Sequence, residues 1–175
     1  MGTRHAIVTA PQISEHIGEV TIVADKDAVT GIYYPGHWTK PDRSAFGPEV
    51  AAASDPVMAV AVAQLRDYLT GERTSLDFAM RADGSEFEQR VWGILRGIPY
   101  GETLTYGQIA EELGDRRLAR MVGQAVGHNP LSIAVPCHRV VGANGTLTGY
   151  AGGLERKRFL LGLEGALDEA ELTLF

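Results

Sequence analysis

The chain has 175 residues, 45% apolar and 22% charged, enough for one ordinary domain or two small ones with a true core. Its net charge of −6 weighs weakly against nucleic acid, and its single cysteine excludes an internal disulfide or a Cys-based zinc site. No apolar run reaches the ~18 residues that cross a bilayer and no signal-peptide core opens the chain, so a cytoplasmic protein without a membrane partner is expected.

Residues 1 to 35 read as strands. "VTIVAD" and "AVTGIYY" are rich in β-branched and aromatic residues, with Asp25, Lys26 and Asp27 between them as a hairpin turn. "PGHWTKPDRSAFGPE" has the proline and glycine density of a loop. Asp55 and Pro56 predict a helix start, with Asp at the N-cap and Pro in the first turn. Met58, Val62, Leu65 and Leu69 give that helix one apolar stripe, and Gly71 ends it. "LDFAM" predicts a short strand, and "RADGS" a linker.

Beyond the linker the pattern is one of short helices. Ser85 with Glu88, and Thr105 with Gln108, have capping-box spacing. The first box precedes Phe87, Val91, Leu95 and Ile98, closed by Pro99; the second precedes Ile109 and Leu113. Gly114 supplies a turn, and a further helix is expected from about Arg116 to Val126, with Leu118, Val122 and Ala125 inward. Two short helices across a tight glycine turn form a helix-turn-helix pattern. The acidic tail "ALDEAELTLF" is expected to be loosely held.

The spacing of Arg117, Arg120 and Gln124 puts them on one outward face, beside Ala119 and Gly123. A mid-helix glycine costs about 1 kcal/mol against alanine, and close approach to a bulky partner is one return for that cost. A basic face of small residues in the second helix of this motif suits DNA; the alternative is a helix–helix contact. Local charge agrees with DNA, because residues 116–160 hold seven basic side chains and one acid, against an acidic remainder.

The lone thiol, Cys137, lies in "IAVPCHRVV". A thiol reacts as thiolate and needs a base or a positive field at neutral pH. His138 is adjacent, but in an extended strand neighbouring side chains point to opposite faces, so a turn or a bridging water would be needed to couple them. Pro136 removes a backbone donor, so a strand should end here or run along an edge. Burying His138 and Arg139 without partners would be costly. A histidine base needs an acceptor on its other nitrogen, and Glu164 is a candidate: it opposes the dipole of the helix it ends, with Gly165 as the cap. The glycine-rich stretch 142–153 lacks a phosphate-loop signature and reads as a mobile lid carrying Tyr150. The five histidines show no metal-ligand spacing, so neither metal nor cofactor is expected.

"PCHRV", preceded by "GHNP" and followed by "GYAGGLERKRFLLGLEG", resembles the O6-alkylguanine-DNA alkyltransferases, closely over residues 84 to 165 and in outline before them. The resemblance implies an α+β protein. Residues 1–80 would form a support domain of antiparallel sheet and helix, 81–84 a linker, and 85–175 a mainly helical, winged-helix-like domain with the helix-turn-helix. It implies direct-reversal DNA repair, with one irreversible transfer from O6-alkylguanine, and from O4-alkylthymine, to each protein molecule. Cys137 would be the acceptor, His138 the base through a water, Glu164 its orienting acid and Asn129 the hinge. Arg120 would fill the place of the flipped nucleotide, while Tyr106 and Tyr150 would contact the target. Ala119, Gly123, Gln124, Arg117, Arg139 and Val140 would complete the surface for substrate and DNA. The implied partner is double-stranded DNA carrying the lesion, bound by a monomer, with cooperative assembly left open. The alternative is a non-catalytic helix-turn-helix protein that binds alkylated DNA or regulates transcription; a Cys-His hydrolase lacks an evident oxyanion hole.

Overall fold

A computed structural model describes residues 1–9 and 13–167. The expectation for the acidic tail lies mostly outside the described residues.

The N-terminal strands form an antiparallel sheet in the order β1 (Arg4–Val8), β2 (Val20–Asp25), β3 (Ala28–Tyr33). Asp25 pairs with Ala28 across the expected hairpin, where Lys26 takes a positive φ of 54°. Helix α1 (Pro56–Leu69) packs its Met58, Leu65 and Tyr68 face into the core. Each such buried side chain contributes about 1.5–3 kcal/mol. The Asp55 carboxylate accepts from the amides of Val57 and Met58 and pairs with buried Arg4 at 2.5 Å, so one side chain caps α1 and ties it to β1.

The segment "LDFAM" is not a strand. Only Met80 bridges β3, opposite Val29, because Val29 donates to Ala79 O and Arg81 N returns to Val29 O, both at 2.9 Å. Farther along the same edge, Ile32 donates to Pro130 O at 2.8 Å and bridges Leu131. The N-terminal sheet thus directly touches the chain just ahead of Cys137.

Both capping boxes close as predicted, at the starts of α2 (Glu86–Arg96) and α3 (Tyr106–Glu112). Gly114, at φ 104°, makes the turn after α3. The next helix begins as a 3-10 turn over Arg116–Leu118 and becomes α4 only at Ala119–Gly127. The Asp115 side chain holds that turn by accepting from Arg117 N at 2.9 Å. Trp92 of α2 donates to Ala125 O at 2.8 Å, locking α2 against α4. A two-residue parallel pair, β4 (Leu104–Thr105) with β5 (Val140–Val141), and α5 (Leu154–Leu163) complete the fold. Among the described residues, most of the buried apolar side chains form one cluster that runs from the sheet through the helix-turn-helix to α5. Among the described residues, no helix is long and apolar enough to cross a membrane.

Candidate active site

Cys137 does not lie in a strand; the chain reaches it through two γ-turns. In the first, Ala134 N donates to Ser132 O at 2.9 Å around Ile133, whose φ is 72°. A β-branched residue rarely adopts that conformation, at a cost of about 1–3 kcal/mol. In the second, Cys137 N donates to Val135 O at 2.7 Å around Pro136, at φ −79° and ψ 65°. Cys137–Arg139 then form a 3-10 turn, and only Val140 and Val141 are strand.

Asn129 holds these turns in place. It is buried, its Oδ1 accepts from Leu131 N at 2.9 Å, and its Nδ2 donates to Val135 O at 2.8 Å. A side chain thus replaces the sheet ladder that this buried backbone would otherwise need. Burial pushes the Cys137 thiol above its ordinary range, while Asn129, the nearby Lys157 charge and Tyr150 pull it the other way.

The turn sends the His138 ring away from solvent (0% exposed), and its Nε2 meets Glu164 Oε2 at 2.8 Å. Its Nδ1 has no hydrogen-bond partner among the described residues. With a proton on Nε2 donated to the carboxylate, Nδ1 keeps its lone pair. Burial lowers the His138 pKa, against the pull of Glu164, and so favours the neutral ring. Burial would raise the Glu164 carboxyl, but donors from His138, Arg139 and Tyr68 overcome this and hold it at about 2.

Three expectations need correction, at Arg139, Val140 and Arg117. Arg139 is buried and turned inward. Its Nε donates to Glu164 Oε1 at 2.7 Å, its Nη1 to Ile98 O at 2.7 Å and its Nη2 to Glu164 Oε2 and the Tyr68 hydroxyl, both at 3.1 Å. Glu164 is the strongest partner within its reach, and the ion pair takes the guanidinium into the core. Val140 is also buried, paired with Leu104 in β5.

A cleft of about 310 Å³ opens over Cys137, lined by Tyr106 and Gly123 of the helix-turn-helix, by Tyr150 and Ala151, and by Trp38. Gly123 faces the Tyr106 ring: a Cβ there would lie 3.8 Å from it. Gln124 and Arg120 are exposed on α4, and Arg120 has no hydrogen bond or ion pair with the described residues. Ala119 is half-buried against the core. Arg117 is not on α4 as expected; it sits in the 3-10 turn, exposed and paired with Asp115 at 2.9 Å.

Sequence reasoning missed Lys157, Tyr68, Tyr34 and Trp38. Lys157 is fully buried, and its Nζ donates to the carbonyls of Val140 at 2.5 Å, Thr148 at 3.0 Å and Gly149 at 3.3 Å. Burial lowers its pKa to about 8, and Cys137 acts in the opposite direction. The signal was present: Lys157, Leu160, Leu161 and Glu164 follow helical spacing, which puts both charges on the inner stripe of α5. Trp38 is 57% exposed, with its ring stacked on His128 at 5.7 Å and its amide donating to Ala151 O at 3.1 Å. A tryptophan in a polar, proline-rich loop was its only cue. The stretch read as a lid is thus fastened by Lys157 and by the Trp38 backbone.

A family profile described as the DNA-binding domain of 6-O-methylguanine DNA methyltransferase matches residues 86–166. A methylated-DNA–protein-cysteine methyltransferase of Mycobacterium tuberculosis is 45% identical over 163 residues, 93% of this chain and 96% of that protein. One from Methanosarcina acetivorans is 43% identical over 150 residues, 86% of this chain and 94% of its own. The crystal structure of Mycobacterium tuberculosis OGT in complex with DNA superposes with a TM-score of 0.81 at 42% identity, covering 98% of this chain and 99% of that one.

Proposed function

The chain belongs to the methylated-DNA–protein-cysteine methyltransferase family and acts in direct-reversal DNA repair; from that premise we propose that Cys137 is the alkyl acceptor and that the cleft above it receives a nucleotide swung out of duplex DNA. The observation that carries this reading is the composition of the cleft. The only thiol of the chain shares it with Tyr106 and Gly123 of the helix-turn-helix, so the DNA-binding element and the nucleophile serve one cavity.

O6 of guanine cannot be reached inside a duplex, so the base must be extruded. Arg120, exposed at the start of α4, fills the gap left in the stack, and the exposed Gln124 and Arg117 contact the backbone. Phosphate contacts position the protein without reading sequence. Residues 85–175 carry DNA binding and transfer, and residues 1–80 support them.

His138 Nδ1 takes the thiol proton through a water, with Glu164 fixing the ring and stabilising the imidazolium. The sulfur attacks the alkyl carbon, the S–C bond forms, and the C–O6 bond breaks. The electron pair leaves with the guanine oxygen, and the imidazolium passes the thiol's proton, through the water, to the departing guanine. O6-alkylguanine is the substrate, O4-alkylthymine a second one, and the protein acts as a monomer. No group in the cleft reverses a thioether, so each molecule reacts once.

Titration with a duplex containing O6-methylguanine tests this. Repaired product is expected to plateau at one equivalent per protein. Product beyond that would mark a turnover enzyme and contradict the mechanism.

A further inference from the structure

The structure ties the cleft to the N-terminal sheet at one point. Tyr34 follows β3 directly and is fully buried, and its hydroxyl lies 2.8 Å from the Tyr150 hydroxyl. The two rings meet edge to face, centroids 5.7 Å apart at 64°. Tyr34 is held from two other sides. The Arg156 guanidinium sits 5.0 Å over its ring while donating to Ile17 O at 2.8 Å and to Gly152 O at 3.0 Å. The same ring occupies the space that a side chain on residue 152 would need: a Cβ on Gly152 would lie 2.5 Å from it. The loop's other fastenings hold the backbones of Thr148, Gly149, Ala151 and Gly152 and the Thr148 hydroxyl rather than the Tyr150 side chain.

We propose that Tyr34 is a positioning residue for alkyl transfer: its hydroxyl fixes the Tyr150 phenol as the wall against which the extruded base is held over Cys137. Tyr34, which does not itself line the cleft, thereby sets substrate binding there through Tyr150. Tyr34 acts on the binding step, because the bond it makes orients a wall, while the groups that generate the thiolate, His138 and Glu164, are not among the residues lining the cleft. This inference rests on the proposed function, and the parent protein's stoichiometric reaction tests that reading separately.

The experiment measures loss of the Cys137 thiol against free O6-benzylguanine over a range of concentrations. Tyr34→Phe keeps the ring and removes the hydroxyl. It is expected to raise the half-saturating concentration roughly five-fold, the effect of one neutral hydrogen bond, and to leave the limiting rate within about two-fold. In a Tyr150→Phe background the same change is expected to add nothing, because the bond is already gone. Unchanged kinetics in Tyr34→Phe, or an effect that persists in full in the Tyr150→Phe background, would overturn the proposal. If Tyr34→Phe gives no folded protein, Gly152→Ala reads the same contact from the lid. Its methyl group displaces the Tyr34 ring and must produce the same rise, and parent-like binding would overturn the proposal.

Discussion

Glu164→Gln is expected to destabilise the protein by about 3–5 kcal/mol, the cost of breaking a buried ion pair from one side, and to slow alkyl transfer by roughly 100-fold, the lower range of general-base effects. One carboxylate, 5% exposed, accepts from His138, Arg139 and Tyr68. An amide at this position has a single acceptor oxygen, and its NH₂ group would face donors. Arg139 would then be a buried cation without a counter-charge, and His138 would lose what selects its tautomer. Urea denaturation reads the first loss through the midpoint, and the rate with free O6-benzylguanine reads the second. Parent-like values for both would remove Glu164 from the mechanism.

The same carboxylate makes an acid prediction. Its folded pKa of about 2 lies below the unfolded value of about 4.3, so its contribution is complete above ~4.3 and is lost as pH falls toward 2. His138 acts in the same direction, because burial lowers its pKa and the unfolded ring gains a proton first, starting near pH 6.5. In Glu164→Gln the stability lost between about pH 4 and 2 should shrink, since one of its sources is gone.

Arg120→Ala carries the second large effect, and it should depend on the substrate. Extruding a nucleotide costs a few kcal/mol, and an inserted side chain offsets part of this, so repair of a lesion in duplex DNA is expected to slow by roughly ten-fold or more. Free O6-benzylguanine needs no extrusion, and its rate should stay within about two-fold. Because Arg120 is exposed and unpaired among the described residues, the change should leave stability intact. Equal losses on both substrates would argue against the stacking role.

What the sequence made legible was mostly local. The Asp55 cap, both capping boxes and the glycine turn at 114 depend on residues no more than three apart, and all appear in the fold. The acid at a helix C-terminus made Glu164 only a candidate; its pairing with His138 was implied by the family resemblance, and the fold brings the two together at 2.8 Å. The approach to Cys137 was not legible. Two γ-turns, one strained at Ile133, persist because Asn129 satisfies the backbone around them, and no propensity encodes that. Arg139 and Lys157 were read as part of a basic surface because charge counts carry no direction; the tertiary fold turned both inward, toward Glu164 and toward three carbonyls. Tyr34 meets Tyr150, and Trp38 meets Ala151, across more than a hundred positions of chain, a distance over which periodicity carries no information.

The most direct test is the mass of the peptide carrying Cys137 after reaction with duplex DNA containing O6-methylguanine. That peptide is expected to gain one methyl group as the lesion disappears, in equal amounts, and Cys137→Ser protein should gain none and leave the lesion intact. Lesion loss without a mass gain on Cys137, or repair by the serine variant, would contradict the account.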